Sequence, residues 1–191
     1  QVGDVDMNML VFYARKNGYS FSLVNEDNKA PKQYTANAET KFILVEETWT
    51  KKDDCVHDGW IVREGSINDL EIIDYREKMN TYVTVVQDDG NALAEIVYIL
   101  KTNTRYPVVL TDTDGVAKTF WAKMTKWDDA TRTPVVEVNI PASELGGKVT
   151  DLVVTGDEKN DLHQDAAGNL VGTVTISDKI EGQNLSITGK I

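Results

Sequence analysis

The stretch Asn80–Lys101, NTYVTVVQDDGNALAEIVYILK, decides the fold class. Two apolar runs, Tyr82–Val86 and Leu93–Leu100, flank the tetrapeptide Asp88-Asp89-Gly90-Asn91. Asp-Gly between β-branched and aromatic runs is the strongest short-range signal of a β-hairpin, because glycine and asparagine tolerate the positive φ of the turn. The run Ile96–Leu100 is apolar at consecutive positions, which predicts a strand buried on both faces in the middle of a sheet.

The same pattern of short extended segments and glycine-bearing turns recurs along the whole chain. We expect about ten to twelve strands with turns at roughly 8–12-residue spacing, and therefore an all-β fold of small β-sandwich or barrel modules, built from antiparallel hairpins with little helix. Besides the central hairpin, the predicted strands are Met7–Ala14, Tyr19–Val24, Lys41–Glu47, Trp60–Val62, Tyr106–Thr111, Val116–Thr125, Pro134–Ile140, Val149–Thr155, Leu170–Ile176 and Asn184–Thr188.

Further predictions concern three segments between these strands and the pairing of the last two strands. Asn25–Asn37 is polar and contains a proline, and Trp127–Thr133 is polar, so both are expected to be loops. Leu170–Ile176 and Asn184–Thr188 are expected to pair as a last hairpin. Asp69–Met79 has only a weak helical periodicity, and a β context often overrides such a pattern.

The polar joint Thr102–Arg105 is the best candidate for a domain boundary. It divides the chain into a β module at 1–102 and another at 103–191, each of roughly 90 residues. The alternative is one continuous β-sandwich over 1–191. The residues Pro141–Leu145 are expected to form a single helical turn within the second module.

Composition excludes several classes of function. The 191 residues include 31 acidic and 20 basic side chains, a formal net charge of −11, so nucleic acid is excluded as a partner because phosphates would be repelled. No apolar run approaches the roughly 18 residues of a membrane span. Cys55 is the only cysteine, which excludes an intrachain disulfide and a multi-cysteine metal site. The opening at Gln1 resembles a cut point or a mature terminus.

Cys55 and His57 are the only pair in the sequence that suggests a nucleophile or a shared metal. A closed metal site would need further ligands, and the other histidine, His163, is far away in the sequence. The interpretation that we prefer is a loop cysteine near a solvated histidine, because no orienting partner is evident. We therefore predict no catalytic residue, no metal ligand and no cofactor.

The tetrapeptide Asp112-Thr113-Asp114-Gly115 resembles the start of a calcium-binding loop. Val116 and Lys123 stand where an EF-hand-like loop needs oxygen ligands. A hairpin turn in which aspartate and glycine supply the geometry is therefore the preferred interpretation. Calcium ligands shared between distant loops remain an alternative.

Tryptophans are the best candidates for ligand binding. The chain has four, and exposed aromatic rings on a β face can stack on sugar rings, which makes Trp60, Trp121 and Trp127 candidates for a glycan site. Tryptophans more often fill β cores, where their large rings dominate burial. Trp121 follows Phe120 directly, so only one of these two rings can face inward.

Several phrases in order resemble the β-rich modules of Gram-positive S-layer-type surface proteins, the kind accompanied by S-layer-homology anchors. They are Thr40–Val45, Arg63–Leu70, Thr81–Val86, Asp88–Gly90, Ala94–Tyr98, Gly172–Ile176 and Asn184–Gly189. On that resemblance, the segment from Gly172 onward would begin or complete a module. The charged Trp49–Trp60 insert has no counterpart in the pattern, and no anchoring repeat is present in this sequence.

The resemblance implies a secreted, acidic structural protein at the bacterial cell surface, with an extracellular role in structure or interaction and no chemistry. Its partners would be other surface-protein modules, further copies of itself, or a cell-wall or other glycan. A carbohydrate-binding module or adhesin that uses the exposed tryptophans is the first alternative. A phage tail or capsid decoration domain, which has the same pattern of hairpins, is the second.

Overall fold

The structure is a computed structural model, and it describes residues 4–15, 18–25, 30–74, 76–77, 79–88, 92–130, 133–156, 159–175 and 186–191. Strands make up 63% of the described residues and helix 4%, so the all-β prediction is confirmed. The helical content within the described residues is one turn of α-helix and one 3-10 turn, Ile67–Asp69. No helix in these residues is long and apolar enough to cross a membrane.

Fourteen strands and one short helix, α1, follow one another in the described residues. The strands are β1 Val5–Arg15, β2 Ser20–Val24, β3 Lys32–Thr35, β4 Lys41–Trp49, β5 His57–Glu64, β6 Met79–Gln87, β7 Ala94–Asn103, β8 Arg105–Thr111, β9 Ala117–Asp128, β10 Thr133–Ile140, β11 Thr150–Thr155, β12 His163–Gln164, β13 Leu170–Thr175 and β14 Ser186–Lys190, and α1 is Ala142–Leu145. The single helical turn expected before Gly146 is therefore confirmed.

The chain divides into two compact units. The first comprises Gln1–Glu47 and Trp60–Asn103, and the second comprises Thr48–Gly59 and Thr104–Ile191. The sequence analysis assigns Thr48–Gly59 to the first module, whereas here it belongs to the second unit. Whether the two units are independent domains, or one continuous sandwich, stays a prediction.

Seven strands form the sheet of the first unit, in the order β3-β2-β1-β6-β7-β4-β5. β6 and β7 pair antiparallel with Val83 opposite Ile99 and Val85 opposite Val97, which confirms the central hairpin. Residues 89–91 of its turn lie outside the described residues. β4 pairs with β7 in parallel, Leu44 opposite Ile99, a pairing that hairpin patterns cannot predict.

The prediction that Ile96–Leu100 is buried on both faces is wrong. Val97 and Ile99 are buried in the core of the first unit. On the opposite face, Tyr98 is 37% exposed and Ile96 and Leu100 are half-buried. β7 does lie inside the sheet, between β6 and β4. A strand in the middle of a sheet can therefore have one dry face and one partly wet apolar face.

The loop predicted at Asn25–Asn37 is wrong in part, because it contains β3. Tyr34 of β3 is fully buried and stacks on Phe21 of β2 with ring centroids 5.3 Å apart. Pro31 stands immediately before the strand, where its missing N–H costs no ladder hydrogen bond. Aromatic burial outweighs the polar composition of the segment.

Asp6 of β1 joins three strands of the first unit through one carboxylate oxygen. Its Oδ2 accepts hydrogen bonds from Lys32 Nζ at 2.7 Å, from Gln87 Nε2 at 2.8 Å and from the Tyr34 hydroxyl. Burial alone would raise the pKa of Asp6, but the hydrogen bonds from Lys32 and Tyr34 and the charge of Lys32 lower it. The carboxylate is therefore ionised at neutral pH and cross-links β1, β3 and β6.

The second unit also has a seven-stranded sheet, in the order β11-β14-β8-β9-β10-β13-β12. β8, β9 and β10 form an antiparallel meander. The last hairpin predicted from Leu170–Ile176 and Asn184–Thr188 is wrong. β13 pairs instead with β10 and β12, while β14 pairs in parallel with β8 and antiparallel with β11. Both sheets are therefore mixed, because each contains a parallel pair, β4 with β7 in the first and β8 with β14 in the second.

In the second unit, one further prediction is corrected and another is confirmed. Trp127 was expected in a loop, but it lies in β9 opposite Pro134 of β10. Of the adjacent pair in β9, Phe120 is fully buried and Trp121 is half-buried, so the expected inward and outward alternation is confirmed. The core around Phe120 is made by apolar side chains of β8, β10, β13 and β14, which are Val108, Leu110, Val136, Val138, Ile140, Leu170, Val174 and Ile187.

Gly172 of β13 lies against the backbone of the loop that precedes β12. A Cβ atom at this position would stand 2.6 Å from Leu162 Cα and 2.9 Å from Leu162 N, and the residue has φ +156°. The same loop is held to β13 by the Asp161 carboxylate, which accepts the Thr173 N–H at 2.6 Å. Only glycine allows this approach of two backbones.

We expect Gly172→Ala to lower the free energy of unfolding by about 2–4 kcal/mol, since the added methyl group must displace backbone atoms. Gly147→Ala is the matched control, because a Cβ there meets nothing within 4 Å. Denaturant unfolding followed by circular dichroism measures both variants. Equal stability of the two would contradict the close packing at Gly172.

Candidate functional site

The segment Thr48–Gly59 is part of the core of the second unit. Cys55 is 2% exposed and belongs to the same apolar cluster as Phe120 and Leu145. The backbone N–H of Trp121 donates to the Cys55 carbonyl at 2.9 Å. The charged insert that matches nothing in the S-layer-type pattern is thus a structural component of this unit.

Two basic side chains of the second unit hold this segment at Asp54. Arg105 Nη1 donates to the Asp54 carbonyl at 2.6 Å, and Lys123 forms an ion pair with the Asp54 carboxylate. The guanidinium carbon of Arg105 also lies 3.8 Å from the centroid of the Trp49 ring. A cation at this distance over an indole face is attracted by the ring quadrupole.

The candidate tryptophans have different environments. Trp121 is half-buried and meets the Trp49 ring edge-on, with centroids 6.2 Å apart. Trp127 is half-buried in β9, and Trp60 is 51% exposed in β5. Trp121 and Trp127 belong to the second unit and Trp60 to the first. A glycan-binding role for any of the three stays a prediction, but Trp60 offers the most ring surface.

Cys55 is a poor nucleophile in this environment. Burial raises the pKa of its thiol to about 11, and the negative charge of Asp53 acts in the same direction. At neutral pH the side chain is therefore a thiol rather than a thiolate. Cys55 does lie in the turn between β4 and β5, as the sequence suggested, but its side chain is buried in the core of the second unit.

Neither histidine extends Cys55 into a metal site. His57 meets the Trp49 ring edge-on at 5.3 Å between centroids. His163 is exposed, and its Nδ1 lies 2.6 Å from the Asp161 carbonyl oxygen. Within the described residues, no group of three or more histidine, cysteine, aspartate or glutamate side chains could hold a metal ion.

Asp112–Gly115 is a hairpin turn, as preferred. Asp112 Oδ1 accepts the N–H groups of Asp114 and Val116, both at 2.9 Å, and Gly115 has φ +80°. These bonds tie the Asp112 carboxylate to its own turn, so the calcium-loop interpretation has no support from the local geometry.

Asp53 and Glu144 form a pair of carboxyl groups inside the second unit. Asp53 is 9% exposed, and Glu144 lies on α1, where its Oε2 is also 3.4 Å from Lys118 Nζ. Burial raises the pKa of Asp53, and a hydrogen bond to Glu144 and the charge of Glu144 raise it further. Two carboxyl groups share a hydrogen bond only when one of them carries a proton.

This pair predicts an acid-strengthened contact between Thr48–Gly59 and α1. Because the pKa of Asp53 is higher in the folded than in the unfolded protein, protonation of Asp53 stabilises the fold at low pH. This stabilisation is fully present below the unfolded-state pKa of 3.8 and is lost as the pH rises through the folded-state pKa. Asp53→Asn supplies a permanent N–H donor for Glu144. We expect this variant to be more stable than wild type at pH 7.5 and to lose that advantage at pH 4.

Thermal unfolding at both pH values measures this difference, and subtracting the wild-type curve removes the contribution of the other acids. Asp54→Asn is the matched control, because it deletes the ion pair with Lys123 and should not stabilise the protein at pH 7.5. An Asp53→Asn variant that is less stable than wild type at both pH values would contradict the shared proton.

The edge of the first sheet is the second notable feature. β5 is the last strand in the sheet order, and its Trp60, Ile61 and Val62 are 51%, 53% and 64% exposed. Edge strands present a row of backbone N–H and C=O groups that can pair with another chain. Because side chains alternate along a strand, Trp60 and Val62 lie on one face of β5 and Ile61 on the other, so apolar side chains are exposed on both faces of this edge.

A groove of about 820 Å³ lies beside this strand in the first unit. Its walls are the start of β4 with the residues before it, 38–43, and the end of β5, Val62–Glu64, with Gly65. The Gly65 N–H donates to the Phe42 carbonyl at 2.8 Å, which ties the two walls together. The groove lies within the range of volumes of ligand pockets and is continuous with the exposed end of β5.

No protein-family model, curated protein or solved structure matches this chain. The sequence analysis named Trp60 but missed the adjoining Ile61 and Val62, although three consecutive apolar residues next to the charged pair Arg63-Glu64 were visible in the sequence. The Asp53–Glu144 pair had no signal in the sequence, since these residues are brought together only by the fold.

Proposed function

We propose that this chain is a non-enzymatic structural and interaction module of an extracellular bacterial surface protein of the S-layer type. The observation that carries the proposal is the edge strand β5, which exposes Trp60 and Val62 on one face and Ile61 on the other. A strand of this kind supports association through main-chain hydrogen bonds. The order of hairpin phrases that resembles S-layer-type modules supports the same role.

The construction of each unit also supports a structural role. Each unit is built on a seven-stranded mixed sheet with a continuous apolar core. The side chain of the one cysteine, Cys55, packs in the apolar core, and the Asp112 carboxylate accepts hydrogen bonds from the backbone of its own turn. A fold alone does not determine a function, so the proposal depends on the exposed edge rather than on the architecture.

The direct test is the location of the protein on the cells that produce it. Antibodies raised against the chain should label intact, unpermeabilised cells, and protease added outside the cells should remove the signal. A cytoplasmic protease substrate serves as the control for cell integrity. Label that appears only after permeabilisation would overturn the proposal.

A carbohydrate-binding module is the second candidate, and the exposure of Trp60 favours it. Exposed indole rings can stack on sugar rings, with the apolar ring face supplying most of the contact. On this candidate, purified cell-wall polysaccharide should shift the tryptophan fluorescence, and Trp60→Ala should abolish binding while Trp127→Ala retains it. Unchanged fluorescence at saturating polysaccharide would exclude this candidate and leave the structural proposal standing.

A further inference from the structure

The sheets of the two units have four edges among the described strands, and three of them are short or irregular. β12 has two residues. β3 has four, and the N–H of its last residue, Thr35, donates to the Ala92 carbonyl at 3.1 Å. β11 has six residues, but Asp151 has φ +52° and the register shifts between Thr150 and Val153. β5 has eight residues and is the longest edge.

β5 lacks the features that keep edge strands apart in monomeric proteins. Such edges are usually short, bulged, or interrupted by proline or lysine. The β5 sequence, HDGWIVRE, has no proline and no lysine, and it exposes its apolar centre. An edge of this kind is built to receive another strand or is a liability for aggregation.

The β11 edge of the second unit provides the partner strand, because its irregularity is confined to the residues before Val153 and its ladder is regular from Val153 to Thr155. β11, TDLVVT, exposes Val153 at 55% and presents the Asp151 side chain at its bulge. Bulges commonly re-aim a side chain at a sheet edge. Arg63 of β5 has the opposite charge and lies two positions from the exposed Ile61, on the same face of its strand. Asp151 and Val153 of β11 are both exposed, and the bulge between Thr150 and Val153 sets the direction of the Asp151 side chain.

We propose that β5 of one copy of this chain pairs antiparallel with β11 of a second copy, with Arg63 opposite Asp151. This register places Ile61 opposite Val153, so an exposed apolar pair adjoins the opposite charges. The same register places Val62 opposite Leu152 and Trp60 opposite Val154.

The charged residues are available for this exchange. Arg63 pairs with Glu46 at 2.8 Å with 60% of its side chain exposed, and Asp151 pairs with Lys190 at 3.4 Å with 67% exposed. Exposed ion pairs contribute little to stability, so replacing them by a contact between copies costs little. Pairing β5 with β5 is less favourable, because the symmetric register around Ile61 brings Asp58 opposite Glu64.

The contact is heterologous, since it joins two different strands, and it can therefore be repeated from copy to copy. One strand pair is smaller than a standard stable interface of about 1,600 Å², so the association in solution should be weak. The inference rests on the proposed structural function and names the partner of its edge strand. It makes the chain a repeating unit that links through its two different sheets.

Sedimentation velocity of the full chain tests this pairing over about 10 μM to 1 mM, the range where weak interfaces populate. Wild type should form oligomers as the concentration rises. Val62→Lys and Val153→Lys should each remain monomeric. Val116→Lys is the matched control, because Val116 is 61% exposed in the turn between β8 and β9 and belongs to neither β5 nor β11, and it should assemble as wild type does.

An equimolar mixture of Val62→Lys and Val153→Lys is the most discriminating sample. Each variant keeps one intact edge, so the mixture should form dimers and nothing larger. Arg63→Asp should also prevent assembly, and adding Asp151→Arg in the same chain should restore it. This charge-reversal pair keeps the test valid if a lysine variant fails to fold.

Two results would overturn the pairing: a monomeric wild type at every concentration, or a Val153→Lys variant that assembles as wild type does. The second result would indicate pairing of β5 with itself. Either outcome is distinguishable from failure of the proposed function, because the location of the protein on intact cells does not depend on the β5–β11 contact.

Discussion

Burial of the Thr48–Gly59 segment in the second unit is the interaction on which the rest of the account depends. The segment comprises the end of β4, the start of β5 and the turn between them, and its Cys55 side chain completes the core around Phe120. The hydrogen bond from the Trp121 N–H to the Cys55 carbonyl fixes the position of the segment along β9. Without this burial, the polar, Asp-rich segment would bury too little apolar surface to offset the entropy lost when it adopts one conformation.

The charges in this segment are arranged around that burial. Asp54 meets Arg105 and Lys123, whereas Asp53 meets another acid, Glu144. The first arrangement is satisfied at neutral pH, and the second needs a proton. A segment that carries five charged side chains within residues 51–58 is therefore held by opposite charge, by burial of one thiol and by one acid-dependent contact.

Local patterns predicted the parts of the fold that depend on neighbours in sequence. The β6–β7 hairpin follows from its turn and apolar runs, and the Asp112–Gly115 turn follows from its own side chains. Pairings between distant strands were not predictable in this way. The parallel partners β4 with β7 and β8 with β14 depend on which edges meet in space, and this is why the expected last hairpin was wrong.

The candidate site residues also differ in whether their environment depends on neighbours in sequence or on distant strands. The exposure of Trp60 could be guessed from an aromatic residue in a charged context, but the position of β5 at a sheet edge could not. For Cys55 the sequence suggested solvent exposure where the structure has burial, because a lone cysteine among aspartates resembles a solvated loop residue. Its burial results from distant residues of β9 and β10 that no local pattern connects to it.

Thiol labelling of the single cysteine tests the burial of this segment most directly. Cys55 should be inert to a thiol reagent in the native protein, since it is 2% exposed and its thiol pKa is raised to about 11. Its reactivity should appear with denaturant in step with the loss of β structure measured by circular dichroism. Rapid stoichiometric labelling under native conditions at neutral pH would contradict the account.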